Sequence, residues 1–461
     1  EEICIYLDTI EPGYAVKNRV LKYKPVQGQR SGVESRTIFI SGRSKEGTVP
    51  LYDRIQAALP EYKLELTMEN LNTLNKIDRP GRPALELQAV IFDDKEVRLV
   101  ERERAAVLGL ALDLGTTSLF ASLLNLESGE VLAMASQSNM QRIYGQDIVS
   151  RLSYSMEHDD GGEALHKILI NNINAMIADM TSQTGHSVNR ILKLSVVGNP
   201  VMLHFFLGLD TTGFNAAPYT GLFASALQIS AFQMGLQVNP WADLLVLPQL
   251  GGFVGADTTA CLLTLSKCLN TTFLLCDIGT NGEIVVCNKG KMWTSSAAAG
   301  PALEGGALSS GMRAGPGAIE RFSLKDKKIE YNVIAGGSPK GICGSAAIDL
   351  IAGLLEENCL SKDGVFTTLA VEYFQLSEGS RGQEITVVEA DATAGNIPIV
   401  LNQEDVRQMQ LAKAAIRTAI DLLMKEAGLH AADLEKVYLA GAFGSYLDAD
   451  NLVAIGLLPE V

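Results

Sequence analysis

Short apolar runs ending in glycine turns alternate along this chain with longer stripes of helical period. Leu85–Phe92 alternates apolar and polar residues toward an Asp93-Asp94 turn, and Glu96–Val100 follows, which predicts a β-hairpin. Ile3–Leu7 and Thr37–Ile40 read as short strands, and Leu51–Leu59 as a brief helix stopped by Pro60. Lys22–Val33 lacks periodicity and Asp78–Pro83 (DRPGRP) is broken by proline and glycine, so both read as loops. Farther on, Leu165, Ile168, Leu169, Ile173, Met176 and Ile177 share one face of a helix predicted over Glu163–Met180. Ile191–Val197 is a strand leading into Gly198-Asn199-Pro200. Asn402 is the expected N-cap of a helix with Glu404 and Asp405 in its first turn. Its apolar stripe is Val406, Met409, Ile416, Ile420 and Leu423, and Gly428 ends it. Val437–Ala440 then runs as a strand into Gly441-Ala442-Phe443-Gly444-Ser445.

One compound pattern occurs twice. Ala106–Leu112 is a buried-type strand followed by Asp113-Leu114-Gly115-Thr116-Thr117-Ser118, a strand over Leu119–Leu126, a turn at Gly129 and a strand over Val131–Ser136. Thr272–Cys276 precedes Asp277-Ile278-Gly279-Thr280-Asn281-Gly282, then Glu283–Cys287, a turn at Asn288–Gly290 and Lys291–Ser295. The two acids lie 164 residues apart, and the order and spacing repeat, so an internal duplication is the simplest account. It divides the chain into a small α/β domain (1–104), a first half (105–270) and a second half (271–461).

Composition narrows the class. At 461 residues, 47% hydrophobic and 20% charged, the sequence is that of an ordinary globular protein of two to four domains. No apolar run approaches the about 18 residues of a membrane span, and no signal pattern opens it, so no membrane role is expected. The seven cysteines are odd in number, scattered and without a C-x-x-C pair. That argues against a disulfide framework or a cysteine-ligated cluster within this chain and fits a reducing cytoplasm. Net charge is −15, and since residues 1–104 balance, the acidic excess lies in 105–461. A nucleic-acid partner would want a basic stripe, so none is expected.

A carboxylate at a strand tip beside a Gly-Thr turn is what a Mg-nucleotide needs: the acid holds hydrated Mg²⁺ and backbone N–H groups meet phosphate. Asp113 and Asp277 are the candidate metal acids. Thr116, Thr117, Thr280 and Asn281 are candidate side-chain donors, and Gly115 and Gly279 let the backbone approach. Each turn alone is equally readable as a hairpin connection; the pair carries the phosphate reading. Gly441, Ala442 and Gly444 form a flat backbone suited to adenosine, or an ordinary strand-to-helix turn. Asp257, in a Gly-rich loop, and Glu304, in PALEGG, are the candidate acids to orient an attacking water, each alternatively a loop acid binding backbone. Ala298–Gly317, with six glycines and two prolines, is either a set of packing turns or a surface that reshapes around a partner. Lys413 and Arg417 lie one turn apart, within reach of a nucleotide or on a solvated helix face. The five histidines are dispersed, without metal-ligand spacing.

The order of two phosphate turns and an adenosine turn resembles the superfamily of acetate and sugar kinases, Hsp70 and actin. Nine strings narrow it: DLGTTS, GQDIVSRL, VGNPVMLHFFLG, GGFVGADTTA, DIGTNGE, AAGPALEGG, GMRAGPGAIE, GICGSA and LAGAFGSYL. Together they resemble the reductive activators of corrinoid proteins, over residues 105–461. The resemblance implies two duplicated RNase H-like (actin/Hsp70-like ATPase) domains around a nucleotide cleft, preceded by the small α/β domain. It also implies ATP and Mg²⁺ as ligands and a corrinoid (cobalamin-binding) protein as partner. The activity implied is slow ATP hydrolysis coupled to return of Co(II) to Co(I) in a methyltransferase or O-demethylase system. Family members carry a ferredoxin-like 2Fe–2S domain ahead of this region as electron donor, and a final helix beyond GLLPEV; neither is present in these residues. Ser138-Asn139-Met140-Gln141 replaces the more usual Asn-Pro-Gln. A small-molecule kinase on the same scaffold, or a nucleotide-gated binding protein without redox chemistry, are the rival readings, and homodimerisation is left open.

Overall fold

The computed structural model describes residues 32–42, 49–79, 84–325, 328–444 and 446–460. The strand expected at Ile3–Leu7, most of the Lys22–Val33 loop, Cys4, Ser445 and the Pro80–Pro83 end of the DRPGRP loop lie outside them. Two compact units emerge. The first holds residues 32–251 with Gly255–Asp257, the second Gly252–Val254 with residues 258–460.

The first unit contains two sheets. Its smaller one has four strands in the order Val33–Ile40, Leu85–Phe92, Glu96–Glu101, Lys63–Leu64. The first strand starts four residues earlier than the apolar run Thr37–Ile40 suggests, because Val33–Arg36 continue the antiparallel ladder against Ala89–Phe92. A helix at Met68–Ile77, capped by Thr67 through the Asn70 N–H, escaped the pattern reading. Only Asn70 and Leu74 are buried on it, too short a stripe to show periodicity. Leu85–Phe92 is buried at nearly every position rather than alternately. Ile91 and Leu87 face the small domain's own core, whereas Val90 and Phe92 join Val33, Val107 and Leu192 in a second cluster.

That second cluster ties the small sheet to its larger neighbour, and ion pairs seal the rim. Arg190 Nη1 reaches Glu101 at 2.7 Å while its other nitrogens donate to the Ala105 and Ala106 carbonyls. Arg98 pairs with Asp243 at 2.7 Å, and Lys193 with Asp93 at 2.7 Å. The first two pairs are mostly shielded from water, where a charge-assisted bond outweighs its surface counterpart.

The larger sheet runs Val131–Ser138, Ser118–Asn125, Leu108–Leu114, Ile191–Gly198, Asp243–Val246, Leu227–Ser230. In the second unit, Lys291–Ala297, Gly282–Asn288, Thr272–Ile278 and Lys436–Ala440 form a four-stranded sheet. Both begin third–second–first–fourth, with the first three strands antiparallel and the fourth parallel to the first. This is the strand order that RNase H-like halves require, so the duplication extends one strand beyond what the motifs reveal.

Thr272–Ile278 reads as an unbroken apolar run because both faces are covered. Leu274, Cys276 and Ile278 enter the main core of the unit, while Phe273 and Leu275 pack with Leu262 and Leu265. The expected helix is Gln403–Ala427, with a reciprocal capping box between Asn402 and Asp405 and a left-handed Gly428 at its end. Glu163–Met180 extends to Gly161–Thr184 and buries Leu165, Leu169, Ile173, Met176 and Ile177. Two small three-stranded sheets complete the second unit. None of the described helices is long and apolar enough to cross a membrane.

Glu101→Ala would leave the shielded Arg190 guanidinium without its carboxylate. It is expected to lower the unfolding free energy by about 1–3 kcal/mol, read by urea denaturation; an unchanged midpoint would show that the ion pair contributes nothing to docking.

Candidate functional site

The parallel register places each candidate metal acid. Asp113 sits opposite Val197 and Asp277 opposite Ala440, so in both units the residue after the acid's partner is a glycine, Gly198 or Gly441. Both acids lie within their strands rather than in the turn, since the strands extend to Leu114 and Ile278.

In the second unit, Gly441 has φ +83°, and a Cβ there would stand 2.3 Å from Asp277 Oδ1. Only glycine permits this approach. The predicted metal acid and the predicted adenosine turn are thereby neighbours, with Gly441–Gly444 as a single helical turn. Thr280 Oγ1 donates to Glu304 Oε1 at 3.0 Å, so Glu304 stands at the Gly279–Asn281 turn, and the Thr280 hydroxyl is already engaged. Glu304 ends the short 3₁₀ turn Pro301–Glu304. A Cβ on Gly279 would meet nothing closer than 3.5 Å, so protein packing does not demand glycine there.

In the first unit the turn is braced from behind. Asn199 Nδ2 donates to Thr116 Oγ1 at 3.2 Å, and Asn139 donates to the Gly115 carbonyl at 3.0 Å and through its own N–H to the Thr117 carbonyl. Asp257 proves to open the helix Ala256–Thr264 rather than to lie in a loop. Ala-Asp-Thr-Thr-Ala favours this start, because an acid in the first turn meets the positive end of the helix dipole. Gly255 packs so tightly on Gly198 and Asn199 that a Cβ would fall 2.3 Å from the Gly198 carbonyl and 2.9 Å from Asp257 Oδ1. Thr116, Asn199 and Asp257 therefore converge.

Three residues of this construction were missed as individual candidates: Asn139, Asn199 and Arg151. Arg151 is fully buried on the helix Ile148–Glu157 and donates to the Thr116 carbonyl at 2.6 Å. Burial pulls its pKa down to about 10. Their strings, SNMQ, VGNP and GQDIVSRL, are visible, but nothing in the spacing reveals that they abut the Gly115–Thr117 turn.

Other expectations resolve differently. Arg417 pairs with Asp421 at 2.9 Å and donates to the Leu458 carbonyl at 3.0 Å, so it secures the last turn of the described chain. Part of the Ala298–Gly317 loop is anchored: Ser309 donates through its N–H and hydroxyl to Asp405, and Ser310 Oγ accepts from the Val400 N–H. His204 is a core histidine, bonded at both nitrogens and set between Phe214 and Phe223.

The chemistry of the donor set suits Mg²⁺, which keeps several waters and needs only one or two carboxylates beside substrate phosphates. Among the described residues no three His, Cys, Asp or Glu side chains gather as a metal cage. Cys276, Cys287, Cys343 and Cys359 are buried free thiols, and Cys261 and Cys268 are half-buried. The described cysteines therefore do not fit an iron–sulfur cluster.

A family profile described as the C-terminal domain of RACo, the ASKHA domain, matches residues 271–461, and one described as the RACo middle region matches residues 108–267. The corrinoid activation enzyme RamQ of Eubacterium limosum is 38% identical over 371 residues, which are 78% of this chain and 62% of that protein. The Co(II) methylated amine-specific corrinoid protein reductase of Methanosarcina barkeri is 27% identical over 363 residues, 76% of this chain and 66% of the relative. The chain thus spans just under two thirds of both curated relatives' length. A solved reductive activator for corrinoid, iron-sulfur protein superposes with a TM-score of 0.81 at 30% identity, covering 93% of this chain and 70% of that one.

Gly441→Ala forces a side chain into a left-handed conformation against Asp277 and is expected to lower the unfolding free energy by at least about 1–2 kcal/mol. Gly279→Ala, with room for its methyl, is expected to change it by less than about 0.5 kcal/mol. Chemical denaturation of both variants distinguishes them; equal losses would contradict the assignment of close approach to Gly441.

Proposed function

The chain belongs to the RACo family of reductive corrinoid activators, and on that premise we propose that it couples slow ATP hydrolysis to activation of a corrinoid protein. The activation returns inactive Co(II) to Co(I). The observation that carries the reading is the repeated register, Asp113 opposite Val197 and Asp277 opposite Ala440, each acid one position from a glycine that begins a turn.

The roles follow from the donor chemistry. Asp113 and Asp277 are the acids that would hold Mg²⁺, which would neutralise charge on the phosphate oxygens. Gly115, Thr116 and Thr117, with Thr280 and Asn281, present donors to phosphate, while Gly279 closes its turn by donating to the Asn281 carbonyl and the Thr280 hydroxyl is held by Glu304. Gly441, Ala442 and Gly444 lie against adenosine. Asp257, at the start of its helix beside Asn199, orients the attacking water, and Glu304 either shares that task or fixes Thr280 through their hydrogen bond. Residues 1–104 form the small domain, 105–270 the first ATPase half and 271–461 the second.

Activation requires that ATP-bound and ATP-free forms grip the corrinoid partner differently, because a ligand shifts an equilibrium only by its differential affinity. Hydrolysis resets the cycle and releases the partner. The single electron for Co(II) would come from an iron–sulfur donor, a group the dispersed free thiols described in this chain would not hold.

The test is steady-state ATPase with Mg²⁺. A Co(II) corrinoid protein is expected to stimulate turnover, and Asp277→Ala to reduce the stimulated rate by about 100-fold or more. Stimulation by a small alcohol or carboxylate, with a phosphorylated product, would replace this reading with a kinase. Unchanged turnover in Asp277→Ala would remove the site assignment.

A further inference from the structure

Arg151 is among the largest fully buried side chains of the protein, and no carboxylate forms an ion pair with it among the described residues. Its acceptors are neutral. Nε donates to the Gly145 carbonyl at 2.9 Å, Nη1 to Gln141 Oε1 at 3.1 Å with Met202 Sδ at 3.4 Å, and Nη2 to the Thr116 carbonyl at 2.6 Å. Asp147 acts on it electrostatically without forming an ion pair, its side chain being bonded in the capping box with Ser150. Arginine is almost never fully buried unless paired, since desolvating an unopposed charge is costly. For bracing a turn alone, a neutral donor would serve. The same network already contains one: Gln141 Nε2 donates to the Leu165 carbonyl, and Asn139 holds Gly115 and Thr117.

The charge is placed behind the backbone of Gly115–Thr117, the turn to which the proposed function assigns phosphate. We propose that Arg151 is the electrostatic member of this turn: a positioning residue whose charge, in no ion pair among the described residues and acted on only by the more distant Asp147, is further matched when a polyphosphate is bound, so that it sets affinity by the number of phosphates. Its Nη2 fixes the Thr116 carbonyl and with it the backbone of the turn. Its charge, in a poorly solvated setting, acts on ligand charge at a distance where water would otherwise screen it. This inference rests on the proposed nucleotide reading and adds the source of its phosphate selectivity.

The experiment measures dissociation constants for Mg-ATP, ADP and adenosine by calorimetry on the wild-type chain, Arg151→Met and Arg151→Lys, with thermal unfolding of each. In Arg151→Met the affinity for ATP is expected to fall about tenfold or more, for ADP by less, and for adenosine less than about twofold. Arg151→Lys keeps the charge but loses the fork, and is expected to keep the ATP-to-adenosine ratio within about threefold of wild type. Should Arg151→Met fail to fold, the lysine variant still decides: a ratio that collapses with the charge retained overturns the proposal. Equal weakening for all three ligands, or no change in a folded Arg151→Met, also overturns it and assigns Arg151 to the fold alone. A wild-type chain that binds adenosine as tightly as Mg-ATP would instead remove the phosphate reading beneath it.

Discussion

Register in a parallel strand pair decides where the two carboxylates of this protein stand. A slip of one residue would move Asp277 to the opposite face of its sheet and away from Gly441. The pairing of Asp277 with Ala440, and of Asp113 with Val197, is fixed by the apolar residues before it: Leu274 and Cys276 belong to one core, Phe273 and Leu275 to another, so neither face tolerates a shift. At the next position Gly441, with φ +83°, lets its turn cross Asp277 closely, and Gly198 lets its own turn pass the Leu114 backbone beside Asp113. Burial sets register, register sets the carboxylate, and glycine sets the approach.

The first unit adds a different economy of charge. Its rim ions are matched, Arg190 with Glu101, Arg98 with Asp243 and Lys193 with Asp93, and they fasten the small sheet to the larger one beside the Val90–Phe92–Leu192 cluster. Arg151, by contrast, is buried against neutral acceptors behind the Gly115–Thr117 turn. Matched charges serve assembly; the unmatched one lies beside the candidate ligand turn.

Much of the architecture is legible before any coordinates. The Asp113 and Asp277 turns, the strands around them and the capped helix from Asn402 to Gly428 are local patterns, written in consecutive residues with strong periodicity. Glu304 was reachable as an acid in a glycine-rich string, and its bond to Thr280 supplies the contact. Asn139, Asn199 and Arg151 were not reachable as partners of the turn: each is 22 or more residues away from Thr117 and joins it only through tertiary packing. The helix at Met68–Ile77 buries too few residues to announce itself, and the two-sided burial of Leu85–Phe92 reflects a neighbouring sheet, not its own sequence. Asp257 was placed in a loop because the glycines before it dominate the string, whereas the helix begins immediately after them.

The central claim is that the duplicated acid-and-glycine device is a Mg-nucleotide phosphate site. Its most direct test is calorimetric titration of ATP, with and without Mg²⁺, into the Asp113→Asn chain beside the wild type. The account predicts that Mg²⁺ strengthens ATP binding to the wild-type chain and that most of this strengthening disappears in Asp113→Asn. Equal Mg²⁺ dependence in both proteins, or none in the wild type, would contradict it.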